Sequence, residues 1–309
     1  MNILLVGEES AGIQMLKSLS ATANKIVGVM ASPSTNGTAT ATLWNVATKM
    51  GYTTWPAKLV KDPEFAKEIR AQDVDILLNV HSLFIIKGEL LTAPRLGSFN
   101  LHPGPLPRYA GLNAPLWAIY HGEERHGATI HKMLPELDTG PIAYQTILEV
   151  GEAETGLSLS SRCVKTGIEM LRKLVDVAST SPADIPLKTQ DLTERTYFGK
   201  GVPNGGRLQW SLPAREIVNF VRACDFFPLP SPWGHPRIEW RNREIQVSRA
   251  QRTGRSCDSA PGTVGEVVES GVLVASLDEW VEVKMLMVDG KYSKAAELLN
   301  SGDQLLDGR

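Results

Sequence analysis

The chain has 309 residues, with 34 acidic and 32 basic side chains, 42% hydrophobic residues and 21% charged ones. This length predicts about two domains, and the composition is typical of a globular protein rather than a disordered or collagen-like chain. A net charge of −2 argues against a dedicated nucleic-acid binder, and no apolar run approaches the roughly 20 residues of a membrane helix.

The N-terminus lacks the basic region and the cleavage site of a signal peptide, because residues 1–6 lead directly into Gly7 and Glu8. We therefore expect a cytoplasmic protein with no membrane segment. The cysteines, Cys163, Cys224 and Cys257, are too far apart for a zinc knuckle or a disulfide framework. We expect three buried or incidental thiols and no metal site.

The first half of the chain alternates short apolar strands with helical patterns. Predicted strands cover residues 3–6, 26–30, 75–80, 98–102, 127–134 and 142–150, and predicted helices lie around residues 13–19, 39–50, 65–70 and 157–177. Strand–helix–strand units at this spacing indicate an α/β fold, a parallel sheet with helices on both faces. The GxGxxG fingerprint is absent after the first strand, which argues against a nicotinamide cofactor.

The second half of the chain is richer in short strands. Ser211 is a candidate N-cap for a helix through Ile217 and Phe220. Beyond this helix, glycine turns separate predicted strands at residues 237–241, 244–249, 263–268, 272–275 and 281–288. This pattern predicts a small barrel.

Two side chains at the end of a predicted strand suggest acyl chemistry. Asn100 and His102 alternate onto one face, and the prolines that follow end the strand near its carboxyl edge, where parallel sheets bind ligands. An amide can donate to a developing oxyanion, and an imidazole can polarise that oxygen or relay a proton. The alternative is that Asn100 caps a turn and His102 satisfies local hydrogen bonds.

Asp138 follows another predicted strand. An aspartate in such a place is usually a turn residue. If the fold brings it near His102, its carboxylate can orient the imidazole and stabilise the charged form of the ring.

Two segments, N-L-H-P-G-P-L-P-R-Y-A-G at 100–111 and G-A-T-I-H-K-M-L-P-E-L-D-T-G at 127–140, resemble the signature of the 10-formyltetrahydrofolate-dependent formyltransferases. By this resemblance, the family's catalytic residues fall on Asn100, His102 and Asp138. Residues 208–223 and 261–264 are similar to the C-terminal domain of the methionyl-tRNA branch. The resemblance implies a Rossmann-like α/β formyltransferase domain at 1–180, a linker at 181–205 and a β-rich, OB-like domain at 206–309.

The resemblance also implies a folate cosubstrate, 10-formyltetrahydrofolate, and no metal. Its expected contacts lie in three places, namely the loop after the third predicted strand, the segment after His102 and the turn around Asp138. The residues are His81, Leu83, Ile85, Gly104, Pro105, Leu106, Pro107, Leu137 and Gly140. The sequence departs from the family at Gly104, where many members have serine, and at Pro135-Glu136, which replace a more usual acidic-glycine pair.

The sequence indicates the acceptor of the formyl group less clearly than it indicates the donor. In the methionyl-tRNA branch a basic insertion grips the acceptor stem, whereas residues 31–42 here contain no lysine or arginine, which argues against tRNA. Six arginines lie between residues 237 and 255, and a solvated barrel face explains them more economically than an RNA contact.

We therefore expect a small amine acceptor, an amino-sugar nucleotide or an ornithine-type amino acid, with methionyl-tRNA as the first alternative. Hydrolysis of 10-formyltetrahydrofolate is the second alternative, since water can replace the amine. A folate-binding protein without catalysis is disfavoured because all three catalytic residues are present. The aromatic and proline-rich segment 226–236 has two interpretations, the wall of an acceptor pocket or a packed inter-domain plug.

Overall fold

In the computed structural model, the first half of the chain forms a seven-stranded sheet. The structure describes residues 1–33, 41–82, 84–86 and 88–308. The strands up to residue 198 are β1 (Asn2–Gly7), β2 (Lys25–Ala31), β3 (Thr54–Pro56), β4 (Ile76–Val80), β5 (Gly97–His102), β6 (Ala110–Gly111), β7 (Arg125–Lys132), β8 (Ile142–Glu149) and β9 (Tyr197–Phe198). The sheet order is β3-β2-β1-β4-β5-β7-β8. The predicted α/β class and the strands at 3–6, 26–30, 75–80 and 98–102 are thereby confirmed.

The sheet is mixed rather than purely parallel. β1 pairs in parallel with β2 and β4, and β4 pairs in parallel with β5. β7 runs antiparallel to β5, because the chain re-enters the sheet at the edge where β5 ends. The strand order reverses between β1 and β4, and such a reversal opens a ligand crevice at the carboxyl ends of the strands.

Among the described residues up to 180, the chain forms six α-helices. They are α1 (Glu9–Ser20), α2 (Leu43–Lys49), α3 (Pro63–Ala71), α4 (Glu89–Thr92), α5 (Ala114–Tyr120) and α6 (Gly156–Thr180). α2 begins where the Thr42 side chain accepts the Asn45 N–H, and the predicted start at residue 39 lies outside the described residues. α3 begins at Pro63 after the Asp62 cap and buries Phe65 and Ile69 among leucines and valines of β1 and β4.

An antiparallel sheet forms the second half of the chain, which confirms the strand-rich prediction. α7 (Ala214–Ala223) precedes β10 (Arg237–Trp240), β11 (Arg243–Ser256), β12 (Val264–Val268), β13 (Gly271–Ala275), β14 (Glu279–Val288), β15 (Lys291–Lys294) and β16 (Leu305–Asp307). The order is β12-β13-β14-β11-β10-β16, with β15 on β14. Ser211 is not the N-cap of α7. The Ala214 N–H donates instead to Asp278 Oδ1 at 2.8 Å, a long-range cap that local sequence does not reveal.

The chain divides into two compact units drawn from interleaved stretches. The first contains residues 1–111, 127–147 and 162–197, and the second contains residues 112–126, 148–161 and 198–309. The domain limits of 1–180, 181–205 and 206–309 stay a prediction. Among the residues that the structure describes, no helix is both long and apolar enough to span a membrane.

All six arginines between residues 237 and 255 are ion-paired within the second unit. Their N–O distances run from 2.8 to 3.3 Å. The pairs are Arg237–Glu244, Arg241–Asp303, Arg243–Asp289, Arg249–Asp225, Arg252–Glu279 and Arg255–Glu266. Each positive charge is therefore matched by a carboxylate of its own unit.

Segment 226–236 is partly packed into the second unit. Trp233 is buried and lies edge-on to Trp117, with ring centroids 4.9 Å apart. Phe226 is also buried, whereas Phe227 and Leu229 are exposed. Within this unit, the segment therefore has a buried part, at Phe226 and Trp233, and an exposed apolar part, at Phe227 and Leu229.

Candidate active site

A row of three polar side chains crosses the sheet at the carboxyl edge of β4 and β5. Asn79 of β4 and His131 of β7 are the register partners of Asn100 on either side. Asn79 Nδ2 donates to Asn100 Oδ1 at 2.9 Å, and Asn100 Nδ2 lies 3.1 Å from His131 Nε2. Both ends of the Asn100 amide are therefore held by neighbouring strands.

His102 lies two residues further along β5 and is fully buried. Its Nε2 is 2.7 Å from the Tyr109 carbonyl oxygen, and a carbonyl can only accept, so the ring proton resides on Nε2. Its Nδ1 is 3.7 Å from Asp138 Oδ2. Burial lowers the pKa of His102 and outweighs the opposing effects of Asp138 and of the Tyr109 carbonyl. The ring is therefore neutral at pH 7, with Nδ1 as its proton acceptor.

Asp138 lies in the left-handed region, with φ of +57°. Its Oδ2 accepts the Gly111 N–H at 2.8 Å, and its Oδ1 is 3.5 Å from His131 Nε2. Burial alone would raise the pKa of this carboxyl, but the two histidines and the Gly111 N–H hold it well below its ordinary value. Asp138 therefore carries a negative charge beside the two rings throughout the physiological pH range.

A buried glutamine fixes the turn that carries Asp138. Gln190 Nε2 donates to the Asp138 carbonyl at 2.9 Å and to the Gly140 carbonyl at 2.6 Å. Gly140 has no room for a side chain, since a Cβ would lie 1.7 Å from the Lys132 carbonyl oxygen. The backbone of the turn is thus held by contacts that are distant in sequence.

The arrangement brings three chemical functions together at the carboxyl edge of β5. The Asn100 amide supplies a donor, the neutral His102 ring supplies a proton acceptor, and Asp138 supplies a fixed negative charge. An amide donor favours an oxyanion in a tetrahedral intermediate, and a neutral imidazole beside a carboxylate can take a proton and stay stabilised. The cluster is equipped for acyl transfer.

The other predicted site residues lie either in the loop after β4 and the turn around Asp138, or in the segment after His102. Ile85 and Leu137 are exposed at 45% and 40%, so their side chains are accessible to a ligand. His81 directly follows β4 in the left-handed region, at φ of +59°, and burial lowers its pKa. Leu83 lies outside the described residues.

The segment after His102 is tightly packed. A Cβ on Gly104 would lie 2.7 Å from His102 Nε2 and 2.9 Å from the Tyr109 carbonyl oxygen, so the glycine preserves that hydrogen bond. Leu106 is buried, its N–H donates to Thr129 Oγ1, and its carbonyl accepts from a glutamine side chain. Pro105 and Pro107, on either side of Leu106, are half-buried.

The sequence analysis predicted no side-chain role for four residues of this region, Asn79, His131, Thr129 and Gln190. Asn79 does give a signal, since it is the one polar residue in the apolar strand β4. His131 and Thr129 alternate onto one face of β7, as Asn100 and His102 do on β5. Gln190 lies in a loop and gives no such signal.

In the described part of the chain, no three His, Cys, Asp or Glu residues are grouped so that they could hold a metal ion. Cys163, Cys224 and Cys257 are buried and form no disulfide with one another, as predicted. Burial raises the pKa of Cys224 far above its ordinary value, so this thiol stays protonated.

Family models match both halves of the chain. The model described as formyl transferase matches residues 1–175. The model described as the formyl transferase C-terminal domain matches residues 202–303. The first match contains the whole cluster of Asn100, His102 and Asp138.

Several solved structures share the fold. The N-formyltransferase from Helicobacter canadensis, solved with folinic acid and dTDP-3-aminofucose, is 17% identical at a TM-score of 0.68, over 91% of this chain and 98% of that one. WlaRD, a sugar 3N-formyl transferase solved with dTDP and 5-N-formyl-THF, is 17% identical at 0.70, over 92% and 97%. HypX from Aquifex aeolicus, solved with tetrahydrofolic acid, is 17% identical at 0.60, over 97% of this chain but 47% of that one. At such identities the likeness shows the fold.

Proposed function

The chain belongs to the formyl transferase family, and on this premise we propose that it transfers the formyl group of 10-formyltetrahydrofolate to the primary amine of a nucleotide-linked amino sugar. The proposal of formyl transfer rests on the cluster of Asn100, His102 and Asp138. The observation that favours a small acceptor is the pairing of the six arginines between residues 237 and 255 with carboxylates.

Asn100 stabilises the tetrahedral intermediate in this mechanism. The amine nitrogen attacks the formyl carbon, and the carbonyl electron pair moves onto the oxygen. One Asn100 N–H is directed at His131 Nε2, and the other donates to the new oxyanion. A single donor of this kind is worth about 10²- to 10³-fold in turnover.

His102 and Asp138 handle the proton. The attacking amine becomes cationic as its bond to carbon forms, and His102 Nδ1 takes the proton that the amine releases. Asp138, 3.7 Å from Nδ1, stabilises the resulting imidazolium. The same proton then passes to N10 of the folate as the carbon–nitrogen bond breaks. The products are the formamide and tetrahydrofolate.

The surroundings of the cluster suit a folate as the formyl donor. His81 Nε2 is buried and has no hydrogen-bond partner among the described residues, so it is available to a polar heterocycle. The exposed side chains of Ile85 and Leu137 provide apolar surface for its ring faces. We assign these three residues to folate binding, together with the segment 104–107.

The acceptor assignment draws on charge and on the relatives. RNA binding depends largely on cations that are free to neutralise phosphates, and the arginines at 237–255 are already matched by carboxylates. The Helicobacter canadensis protein and WlaRD were solved with a dTDP-linked amino sugar and with dTDP respectively. Both considerations favour an amino-sugar nucleotide over methionyl-tRNA or an ornithine-type amine.

A panel of acceptors tests this function. The protein is incubated with 10-formyltetrahydrofolate and, separately, a dTDP-amino sugar, an ornithine-type hydroxylamine, methionyl-tRNA or no amine. Tetrahydrofolate release and the mass of the formylated product are recorded. We expect product with the amino sugar, and Asn100→Ala should lower kcat by about 10²- to 10³-fold.

The remaining results of the panel would overturn the proposal in different ways. A preference for methionyl-tRNA that falls steeply with salt would refute the acceptor assignment. Preference for the ornithine-type amine would refute the sugar specificity alone. Release of tetrahydrofolate at an equal rate without any amine would make the protein a hydrolase.

A further inference from the structure

Asn79 is a polar residue in a strand that is otherwise apolar. β4 reads Ile-Leu-Leu-Asn-Val, and all five residues are buried. Buried polar atoms are nearly always hydrogen-bonded, and each exception calls for a physical reason. Asn79 Oδ1 is buried without a partner among the described residues. A leucine would occupy a similar volume without this cost, so packing alone does not account for the amide.

The Asn79 amide determines which end of the Asn100 amide faces His131. Asn79 Nδ2 donates to Asn100 Oδ1 at 2.9 Å, which leaves the Asn100 nitrogen toward His131 Nε2. His131 Nδ1 lies 3.1 Å from the Lys132 carbonyl oxygen, which accepts only, and in the tautomer with the proton on Nδ1 the Nε2 atom accepts one N–H of Asn100. Asn100 therefore keeps one N–H for a ligand.

We propose that Asn79 is a positioning residue that holds the Asn100 amide with its nitrogen, rather than its oxygen, toward the formyl group. The inference rests on the proposed function, because it concerns Asn100 as the oxyanion donor. With the amide reversed, Asn100 would present an oxygen lone pair to the developing oxyanion. The two orientations have the same volume and differ in the sign of the charge that meets the substrate.

The variant Asn79→Asp tests this directly, because an ionised carboxylate accepts hydrogen bonds and cannot donate them. It should attract the Asn100 NH₂ group and reverse the amide, lowering kcat by about 10²-fold at about pH 8. Protonation turns the introduced carboxyl into a donor, which restores the native orientation, and burial raises its pKa into an accessible range. The kcat ratio of variant to wild type should therefore rise at least about tenfold as the pH falls to about 5.5.

The variant Asn79→Leu is the matched control, since it neither donates nor titrates. We expect kcat about fivefold to tenfold lower, KM for the acceptor within about twofold, and a kcat ratio to wild type that is flat with pH. The cluster contributes the same titratable groups, His81, His102, His131 and Asp138, to all three proteins. An ionised carboxylate introduced at position 79 would raise the pKa of these histidines and so lower the kcat ratio as the pH falls, which is opposite in sign to the expected rise. If the aspartate variant does not fold, the leucine variant alone decides.

The possible results distinguish a failure of the positioning role of Asn79 from a failure of the proposed function. Full kcat in Asn79→Leu, or a pH-independent ratio in folded Asn79→Asp, would overturn the positioning role while the wild type still transfers formyl groups. Absence of formyl transfer by the wild type would instead overturn the proposed function, and the positioning role would fall with it.

Discussion

Replacing Asp138 by asparagine removes one negative charge from the catalytic cluster and changes little else. Asparagine is tolerated in the left-handed region, where Asp138 lies at φ of +57°. Its side-chain oxygen can still accept the Gly111 N–H. The substitution therefore isolates the electrostatic contribution of the carboxylate to the His102 imidazolium.

The magnitude follows from the geometry. At a separation near 3.7 Å, two unit charges interact by roughly 4 kcal/mol at an effective dielectric constant near 20. Since each 1.36 kcal/mol corresponds to a tenfold change in rate, this is about 10³-fold. Only part of the imidazolium charge has developed in the transition state, so we expect kcat to fall by about 10²- to 10³-fold.

The same substitution shifts the pH profile in a definite direction. The Asp138 carboxylate raises the pKa of His102 against the larger lowering caused by burial. Removing the carboxylate lowers that pKa further. Because His102 acts as a base in its neutral form in the proposed mechanism, we expect the acid limb of the kcat profile to move to lower pH in Asp138→Asn.

Steady-state formyl transfer to the best acceptor of the panel, measured from about pH 5 to 9, gives both quantities. Glu136→Gln is the control, since it removes an exposed charge from the same turn without touching either histidine. A folded Asp138→Asn protein with kcat within about fivefold of wild type would refute the role of the carboxylate. An acid limb that moves to higher pH would refute the sign of the electrostatic argument.

Two further predictions concern the packing around the cluster. Gly104→Ala places a methyl group 2.7 Å from His102 Nε2, so we expect at least about a tenfold loss of kcat and a loss of about 1–3 kcal/mol in unfolding free energy, measured by kinetics and by urea titration. Full activity would show that the ring position is not critical. Gln190→Leu leaves the Asp138 and Gly140 carbonyls without their donor, so the protein should lose about 1–3 kcal/mol of stability together with activity. Unchanged thermal unfolding would contradict this.

Local sequence was sufficient to predict the parts of the site that depend on one strand. Alternation placed Asn100 and His102 on one face of β5, and the same pattern in other apolar runs located most of the sheet. Local sequence was insufficient to predict which side chains of the neighbouring strands contact Asn100. The pairing of Asn79 and His131 with Asn100 depends on register between strands distant in sequence, which periodicity does not encode.

The antiparallel direction of β7 and the cap of α7 were missed for a related reason. Ser211 has the right side chain and a suitable position, but Asp278, 64 residues away from Ala214, provides the acceptor. A helix start can be recognised locally only when its cap is local. The short α5 begins after Asn113, which lies in the left-handed region and makes no side-chain cap hydrogen bond.

The hydrogen bonds that Gln190 donates to the Asp138 turn can form only after the rest of the cluster has been synthesised. Asn100, His102 and Asp138 leave the ribosome first, while the glutamine that fixes the Asp138 turn lies 52 residues later. At about 5–20 residues per second, that interval is roughly 3–10 s. For those seconds a nascent chain holds Asn100, His102 and Asp138 and lacks the glutamine that fixes the Asp138 turn. The reactive geometry is among the last features of the first unit to be assembled.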